Sequence, residues 1–186
     1  MSFLEIQTQT GWGRVLQGFA GWCQPQAGWL PALFAGYGCQ AFGVDLDAAT
    51  LAQTLHPTLV QAQAVDLPFP QGTFHLLTTS NLLFFLPDPE QALREMRRLV
   101  RADGWVALLN PSERMSVAAA AALADQRGLA GLDRVSLLDW AMRAEAHQRW
   151  DEAETAALFA AAGMFLHETI LKLGPGLARF ARGRRN

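Results

Sequence analysis

The sequence predicts an α/β fold: a mostly parallel sheet with helices on both faces, closed at the C-terminal end by an antiparallel hairpin. Three observations carry this. Helical and strand-like segments alternate repeatedly along the chain, the pattern of a parallel sheet with crossover helices. Phe74 to Thr79 and Trp105 to Leu109 are short apolar runs of the kind that fill the middle of a sheet covered on both faces. Cys39 to Asp47 is an apolar strand that runs directly into an acidic residue, Asp45. In an open α/β sheet that carboxylate stands at the carboxyl end of a strand, where ligands bind, and a ribose diol is a natural partner for it.

Each element has its own local cause. Trp12, Val15, Leu16, Phe19 and Trp22 recur at helical spacing, so Gly11 to Trp22 reads as a helix with one apolar face. The stretch Cys23 to Gly28 breaks it, and Trp29 to Ala35 resumes a helical pattern that Gly36-Tyr37-Gly38 stops. After the Asp45 strand, Asp47 can cap a helix from Ala48 to about Leu55, which His56-Pro57 ends. Leu59 to Ala64 is a weaker strand, and Asp66 to Thr73, with two prolines and a glycine, is a loop.

Asp88-Pro89-Glu90 opens an amphipathic helix whose buried stripe is Leu93, Met96, Leu99 and Val100, with Arg94, Arg97, Arg98 and Arg101 on the wet side. Asp103-Gly104 turns the chain into the Trp105 strand. Beyond Pro111 an alanine-rich helix, Ser116 to about Gln126, and a further helix around Leu137 to His147 read as a helical lid insertion, about residues 112–150, over the ligand edge of the sheet. Asp151 caps a helix from Glu152 to Ala162, Gly163 ends it, and Phe165 to Leu173 with Leu177 to Ala181 form the closing hairpin.

Composition narrows the function classes. A chain of 186 residues, 51% of them apolar, holds one sizeable core, so residues 1–186 read as a single domain. A formal charge of −2 supplies no field to recruit nucleic acid or an anionic membrane, and the Arg179, Arg182, Arg184, Arg185 run reads as a solvated end. Cys23 and Cys39 have neither Cys-x-x-Cys spacing nor a matching histidine cluster, which argues against a disulfide framework or a zinc site and for a reducing cytoplasm. No N-terminal targeting pattern and no apolar run of the ~20 residues that cross a bilayer is present.

The order of elements and several local phrases together resemble a class I S-adenosylmethionine-dependent methyltransferase of the small-molecule type, with a single Rossmann-like domain. Gly43-Val44-Asp45-Leu46-Asp47 is similar to the acidic end of that family's second strand. Asp66-Leu67-Pro68-Phe69 with Gly72-Thr73-Phe74 is similar to its Asp-Leu-Pro-Phe-x-x-Gly-Ser-Phe-Asp loop, and Leu86 to Leu99 followed by Asp103-Gly104-Trp105 to its next helix and strand. The resemblance implies S-adenosylmethionine as cofactor: Asp45 would accept from both ribose hydroxyls and Leu46 would lie against the adenine. Gln63 and Ala64 would face the adenine amino group, with Gln63 in place of the usual aspartate. Ser80 and Asn81 fall where the family holds the methionine portion or faces the substrate, and they serve equally well as a cap for the turn that follows.

The family's first strand and its Gly-x-Gly-x-Gly loop have three candidate placements. Counting back from Asp45 puts the loop on Trp22 to Gly28, with Gly28 alone retained. A match at Arg14 to Gly21 recovers Gly18 and Gly21. On the third, Gln24 to Gly28 leads toward the strand, Trp29 to Phe34 is the helix after the loop, and about ten residues between Gly28 and Trp29 are absent. Bare backbone is what lets a cofactor approach a helix start so closely.

Methyl transfer from a sulfonium is an in-line displacement that positioning alone can drive, so no catalytic residue is nominated. His75, His147 and His167 read as structural, Phe84-Phe85 as core packing, and Trp140, Met142 and Trp150 as an apolar acceptor wall or buried helix contacts. Asp45 and Asp66 share a sheet edge but have no third ligand at suitable spacing, so no metal is expected. Expected partners are a small-molecule acceptor and, from an exposed sheet centre, a second copy of the chain. A non-catalytic methyltransferase-like binding or dimerising module is the alternative. A nicotinamide-dependent oxidoreductase shares the acid after strand two but needs a Gly-x-Gly-x-x-Gly turn that the sequence lacks.

Overall fold

The computed structural model describes residues 40–48, 51 and 58–185. The expected helices at Gly11 to Trp22 and Trp29 to Ala35, all three placements of the glycine loop, Gly28 among them, and most of the helix after Asp47 lie outside the described residues. Of that last helix the first turn is visible, with the Leu51 amide donating to the Asp47 carbonyl at 3.1 Å.

Among the described residues six strands and four α-helices follow in order: β1 (Gly43–Asp45), β2 (Leu59–Gln61), β3 (Phe74–Ser80), α1 (Pro89–Leu99), β4 (Val100–Pro111), α2 (Val117–Gln126), α3 (Gly131–Glu145), α4 (Glu152–Ala161), β5 (Met164–Lys172) and β6 (Ala178–Arg185). Strands β1 and β2 pair in parallel, β3 and β4 pair in parallel, and β6 inserts antiparallel between β4 and β5. Among the described residues the strands therefore form two sheets, β1-β2 and β3-β4-β6-β5. Phe42, Phe69 and Phe74 link them, with ring centroids 5.0–6.1 Å apart in edge-to-face pairs.

Alternation along β3 and β4 divides the side chains. Leu77, Val106 and Leu108 belong to the core built with α1 and α4, where Leu93, Leu99 and Phe159 are fully buried. Leu76, Ala107 and Leu109, on the opposite face, are buried as well, which is why these strands read as unbroken apolar runs. A second core lies under α2 and α3, where Met115, Leu123, Leu137 and Leu177 close against Phe84.

The caps are as the sequence requires. Asp88 accepts from the Gln91 amide with Pro89 at the first helical position, and Ser116 accepts from Ala119. Asp151 and Glu154 form a reciprocal capping box, and Gly163, in the left-handed region at φ 71°, ends α4.

Several expectations are corrected. The second lid helix spans Gly131–Glu145, not Leu137 to His147, because its first turns carry Leu132 and Val135 outward and show no apolar periodicity. Strand β4 begins at Val100, paired with Phe74 across a bulge, and β2 ends at Gln61. The C-terminal arginines are only in part a solvated end, Arg184 alone of the four being exposed. Arg179 is buried, donating from Nη2 to Glu113, from Nη1 to Thr169 and from Nε to the Trp150 carbonyl, while Arg182 and Arg184 lie over the Trp105 ring. Because β6 is an interior strand, its first residues Ala178 to Ala181 are buried, and exposure returns only at Arg184. Arg97 and Arg98 also leave the wet side, reaching the backbone of Gly163, Leu67 and Phe69.

Candidate functional site

A cavity of about 460 Å³ opens at the carboxyl ends of β1 and β3, within the range of small-molecule sites. Val44, Asp45 and Leu46 form one end of it, and the turn Ala62 to Val65 after β2 forms the adjoining wall. Leu67, then Leu77, Thr78 and Thr79 of β3, line its middle. Asn81 and Leu82 form the far end, and Leu86 to Asp88, with Gln91 and Met96 of α1, close it.

Backbone geometry fixes Asp45. The Ala62 amide donates to the Asp45 carbonyl at 3.1 Å, and Gln61 Nε2 donates to the Leu46 carbonyl at 3.0 Å. Among the described residues the carboxylate takes one hydrogen bond, from the Asp47 amide to Oδ1 at 3.0 Å, a local turn that steadies the side chain. Leu46 is 62% exposed at the mouth, an apolar surface for a planar ring. Gln63 and Ala64 stand on the turn closed by the Asp66 amide donating to the Gln63 carbonyl at 3.1 Å.

Asn81 is held in the left-handed region at φ 57°, which asparagine tolerates better than most residues. Its amide donates to the Leu109 carbonyl of β4 at 2.7 Å, and its side-chain Oδ1 is buried without a partner among the described residues. A buried acceptor with nothing to accept is uncommon and calls for an explanation. Of the residues the sequence pointed to, Asp45, Leu46, Gln63, Ala64 and Asn81 therefore come together. Ser80 ends β3 half-buried and is not part of the lining.

The acceptor-wall residues do not reach the cavity. Trp140 and Trp150 pack on the second core, and Met142 is 53% exposed on α3. Phe84 is core, and its neighbour Phe85 stacks on it at a centroid distance of 3.8 Å and meets His147 at 5.0 Å. Sequence reasoning missed Leu67, Thr78, Thr79 and Gln91 as lining residues. Position relative to the strand ends was the signal available for the two threonines.

A brace on α1 holds the Leu67 wall. Glu95 Oε1 accepts from the Leu67 amide at 2.9 Å and from Arg98 Nη2 at 2.6 Å, and Arg98 in turn donates to the carbonyls of Leu67 and Phe69 at 3.1 and 2.9 Å. The Arg98 hydrogen bond is the main reason the Glu95 carboxyl is held below its usual range, with the Leu67 amide adding to it against the opposing cost of burial. Among the described residues no three acids, histidines or cysteines converge as metal ligands, and no helix is long and apolar enough to cross a membrane.

Comparison with known proteins places this architecture. A methyltransferase domain family model matches residues 25–108. A S-adenosylmethionine-dependent methyltransferase from Mesorhizobium loti superposes with a TM-score of 0.69 at 14% identity, covering 97% of this chain and 100% of that one. Magnesium protoporphyrin IX methyltransferase from Synechocystis, crystallised with bound SAH, superposes at 0.63 and 15% identity, covering 99% and 83%. The fold is that of the class I S-adenosylmethionine-dependent methyltransferases.

Local sequence similarity points to proteins of the same class. A demethylmenaquinone methyltransferase of Lysinibacillus sphaericus is 40% identical over 55 residues, 30% of this chain and 24% of that protein. The 2-methyl-6-phytyl-1,4-hydroquinone methyltransferase 2 of rice is 32% identical over 54 residues, 29% and 16% respectively. The chain thus matches less than a third of the length of these relatives.

Proposed function

We propose that the protein binds S-adenosylmethionine in the cavity between Asp45 and Asn81 and transfers its methyl group to a small-molecule acceptor. The observation that carries the reading is the convergence of Asp45, Leu46, Gln63, Ala64 and Asn81 on one cavity at the carboxyl edge. The donor set suits the cofactor. The free oxygen of an acceptor-only carboxylate suits a sugar diol, Leu46 offers an apolar surface for the base, and the orphaned Asn81 oxygen suits an ammonium group. The cofactor supplies an electrophilic methyl on a positively charged sulfur. The chain's part is to hold the two ends of that molecule and to keep the middle dry through Leu67, Leu77 and Met96, so that an acceptor meets the methyl in line.

Binding of the demethylated product, S-adenosylhomocysteine, tests this. At a hundredfold excess over its dissociation constant it stabilises the fold by about 2.7 kcal/mol, roughly a 5–10 °C rise in Tm for a domain this size. The D45N variant keeps the Asp47 hydrogen bond but loses the charge and one diol acceptor, and its affinity falls at least tenfold with the unliganded Tm unchanged. No shift at millimolar product refutes the reading.

A second reading is a non-catalytic binding or dimerising module. It is favoured by the two-sheet arrangement of the described strands, β1-β2 beside β3-β4-β6-β5. Stoichiometric product binding measured by calorimetry eliminates it.

A further inference from the structure

We propose that β5 is the edge through which the protein self-associates, and that the partner it fits is a second copy of this chain, paired antiparallel along Glu168 to Lys172. The edge is remote from the cavity. None of the described lining residues lies on β5, and β4 and β6 stand between β5 and the cavity strand β3.

Topology makes the edge. Strand β6 pairs with β4 on one side and with β5 on the other, so among the described residues β5 has β6 along one side and no strand along the other. Every second residue of such a strand turns its amide and carbonyl outward, which makes it a template for a further strand. The first half of β5 is blunted, because its ladder to β6 shifts register between Leu166 and Glu168, a bulge that bends the strand. From Glu168 onward the ladder is regular, with Glu168 opposite Arg182, Ile170 opposite Phe180 and Lys172 opposite Ala178. These three β5 side chains share one face, and Ile170 is 36% exposed on it.

The sequence of that half selects the occupant. Glu168-Thr169-Ile170-Leu171-Lys172 is self-complementary about its middle residue. A two-fold axis at Ile170 sets each Ile170 against its copy, Thr169 against Leu171, and Glu168 against Lys172 twice over. Such a contact is isologous and closes at two copies. A slip of one residue in either direction sets Glu168 against a leucine and loses both ion pairs.

The charges are placed to accept this partner. Lys172 is the only lysine of the chain, and among the described residues it has no ion-pair partner. Glu168 Oε2 lies 2.7 Å from Arg182 Nε and keeps 36% of its side chain exposed, so the pairing completes a row of alternating sign, Arg182, Glu168 and the second copy's Lys172. A lysine on an edge strand ordinarily turns incoming strands away. Here the incoming copy carries an acid at the facing position, so Lys172 admits it and rejects strands that lack one.

Sedimentation equilibrium and carbodiimide cross-linking of the full chain test this. We expect a reversible dimer of twice the 20.3 kDa chain mass. K172E sets glutamates against each other at both positions and weakens the dimer about tenfold or more, and E168K does the same with lysines. An equimolar mixture of the two variants pairs an acidic strand with a basic one and associates within about threefold of the wild-type dissociation constant. In the cross-linked dimer Lys172 is joined to Glu168. Within one chain these residues lie about 13 Å apart along the strand, too far for a link that inserts no atoms, so the joined peptide comes from two copies. Should E168K fold poorly without its Arg182 pair, I170D, which sets two aspartates at the axis, serves as the second dissociating variant. A wild type that stays monomeric at the highest concentration reached overturns the inference. So does a dimer that K172E and I170D leave unchanged, a mixture of folded variants that associates no better than either alone, or a dimer without the Glu168–Lys172 link.

Discussion

Removing the Glu95 carboxylate tests whether the α1 brace holds the cavity wall. The side chain is 11% exposed and accepts three hydrogen bonds, from the Leu67 amide at 2.9 Å and from Arg98 at 2.6 and 2.7 Å. In E95A the Leu67 amide loses a charged acceptor, a bond of about 1.5 kcal/mol at the lower end of its class. The ion pair adds less than about 1 kcal/mol, because Arg98 is 38% exposed and solvent screens it. The sum is about 2 kcal/mol, or a fall of about 4–8 °C in Tm. E95Q keeps an acceptor for Leu67 and loses the charge, so it falls by about half as much.

The pH dependence gives the sign. The folded pKa of Glu95 lies below the ordinary 4.5, so its contribution is complete above that value and is lost as pH falls through the folded pKa. The stability gap between wild type and E95Q, read from urea unfolding, narrows as pH is lowered from 7 to below 4. A destabilisation of E95A under about 0.5 kcal/mol, or a gap that widens in acid, refutes the reasoning.

Two further variants probe the packing behind the site. In G183A the new Cβ would lie 2.5 Å from the Phe165 carbonyl oxygen and 2.6 Å from the ring of the fully buried Phe159, so overpacking costs about 1–3 kcal/mol in urea unfolding, and an unchanged midpoint contradicts it. D151A removes the capping-box acceptor of the Glu154 amide and lowers stability by about 1 kcal/mol in thermal melts.

What could be read in the sequence was whatever local chemistry dictates. Asp88-Pro89, Ser116 and Asp151 mark helix starts because a side-chain oxygen must satisfy the first amides, and those starts stand where the residues put them. Asp45 and Asn81 were legible as strand ends, and strand ends in an open sheet are where ligands bind. The start of α3 was not, since Leu132 and Val135 point outward and break the period that a buried face would impose. Nor was the burial of Arg179. A run of arginines reads as solvated until topology places β6 between two strands and brings Glu113, 66 residues distant, against it. Of the two readings open for Trp140, Met142 and Trp150, an acceptor wall or buried helix contacts, Trp140 and Trp150 pack on the lid's own core, which the residue types alone do not decide.

The two ends of the cavity are held by different partners, and this decides what Glu95 does for function. Asp45 and Leu46 are positioned by β2, through Ala62 and Gln61, whereas Asn81 is positioned by β4, through the Leu109 carbonyl. Among the described strands no ladder joins β1 to β3. Among the described residues the two sides are joined by the Phe42–Phe69–Phe74 cluster and the loop from Leu67 to Phe69, which Glu95 and Arg98 fasten to α1. Loosening that loop changes the spacing between the two ends, and a ligand gripped at both ends is sensitive to their separation. E95A therefore weakens S-adenosylhomocysteine by more than its stability loss accounts for, by at least fivefold at a temperature where the variant is fully folded. G183A, destabilised to a similar extent between β5, β6 and α4, binds it as wild type does. Equal affinity of E95A and G183A would show that the brace serves the fold alone.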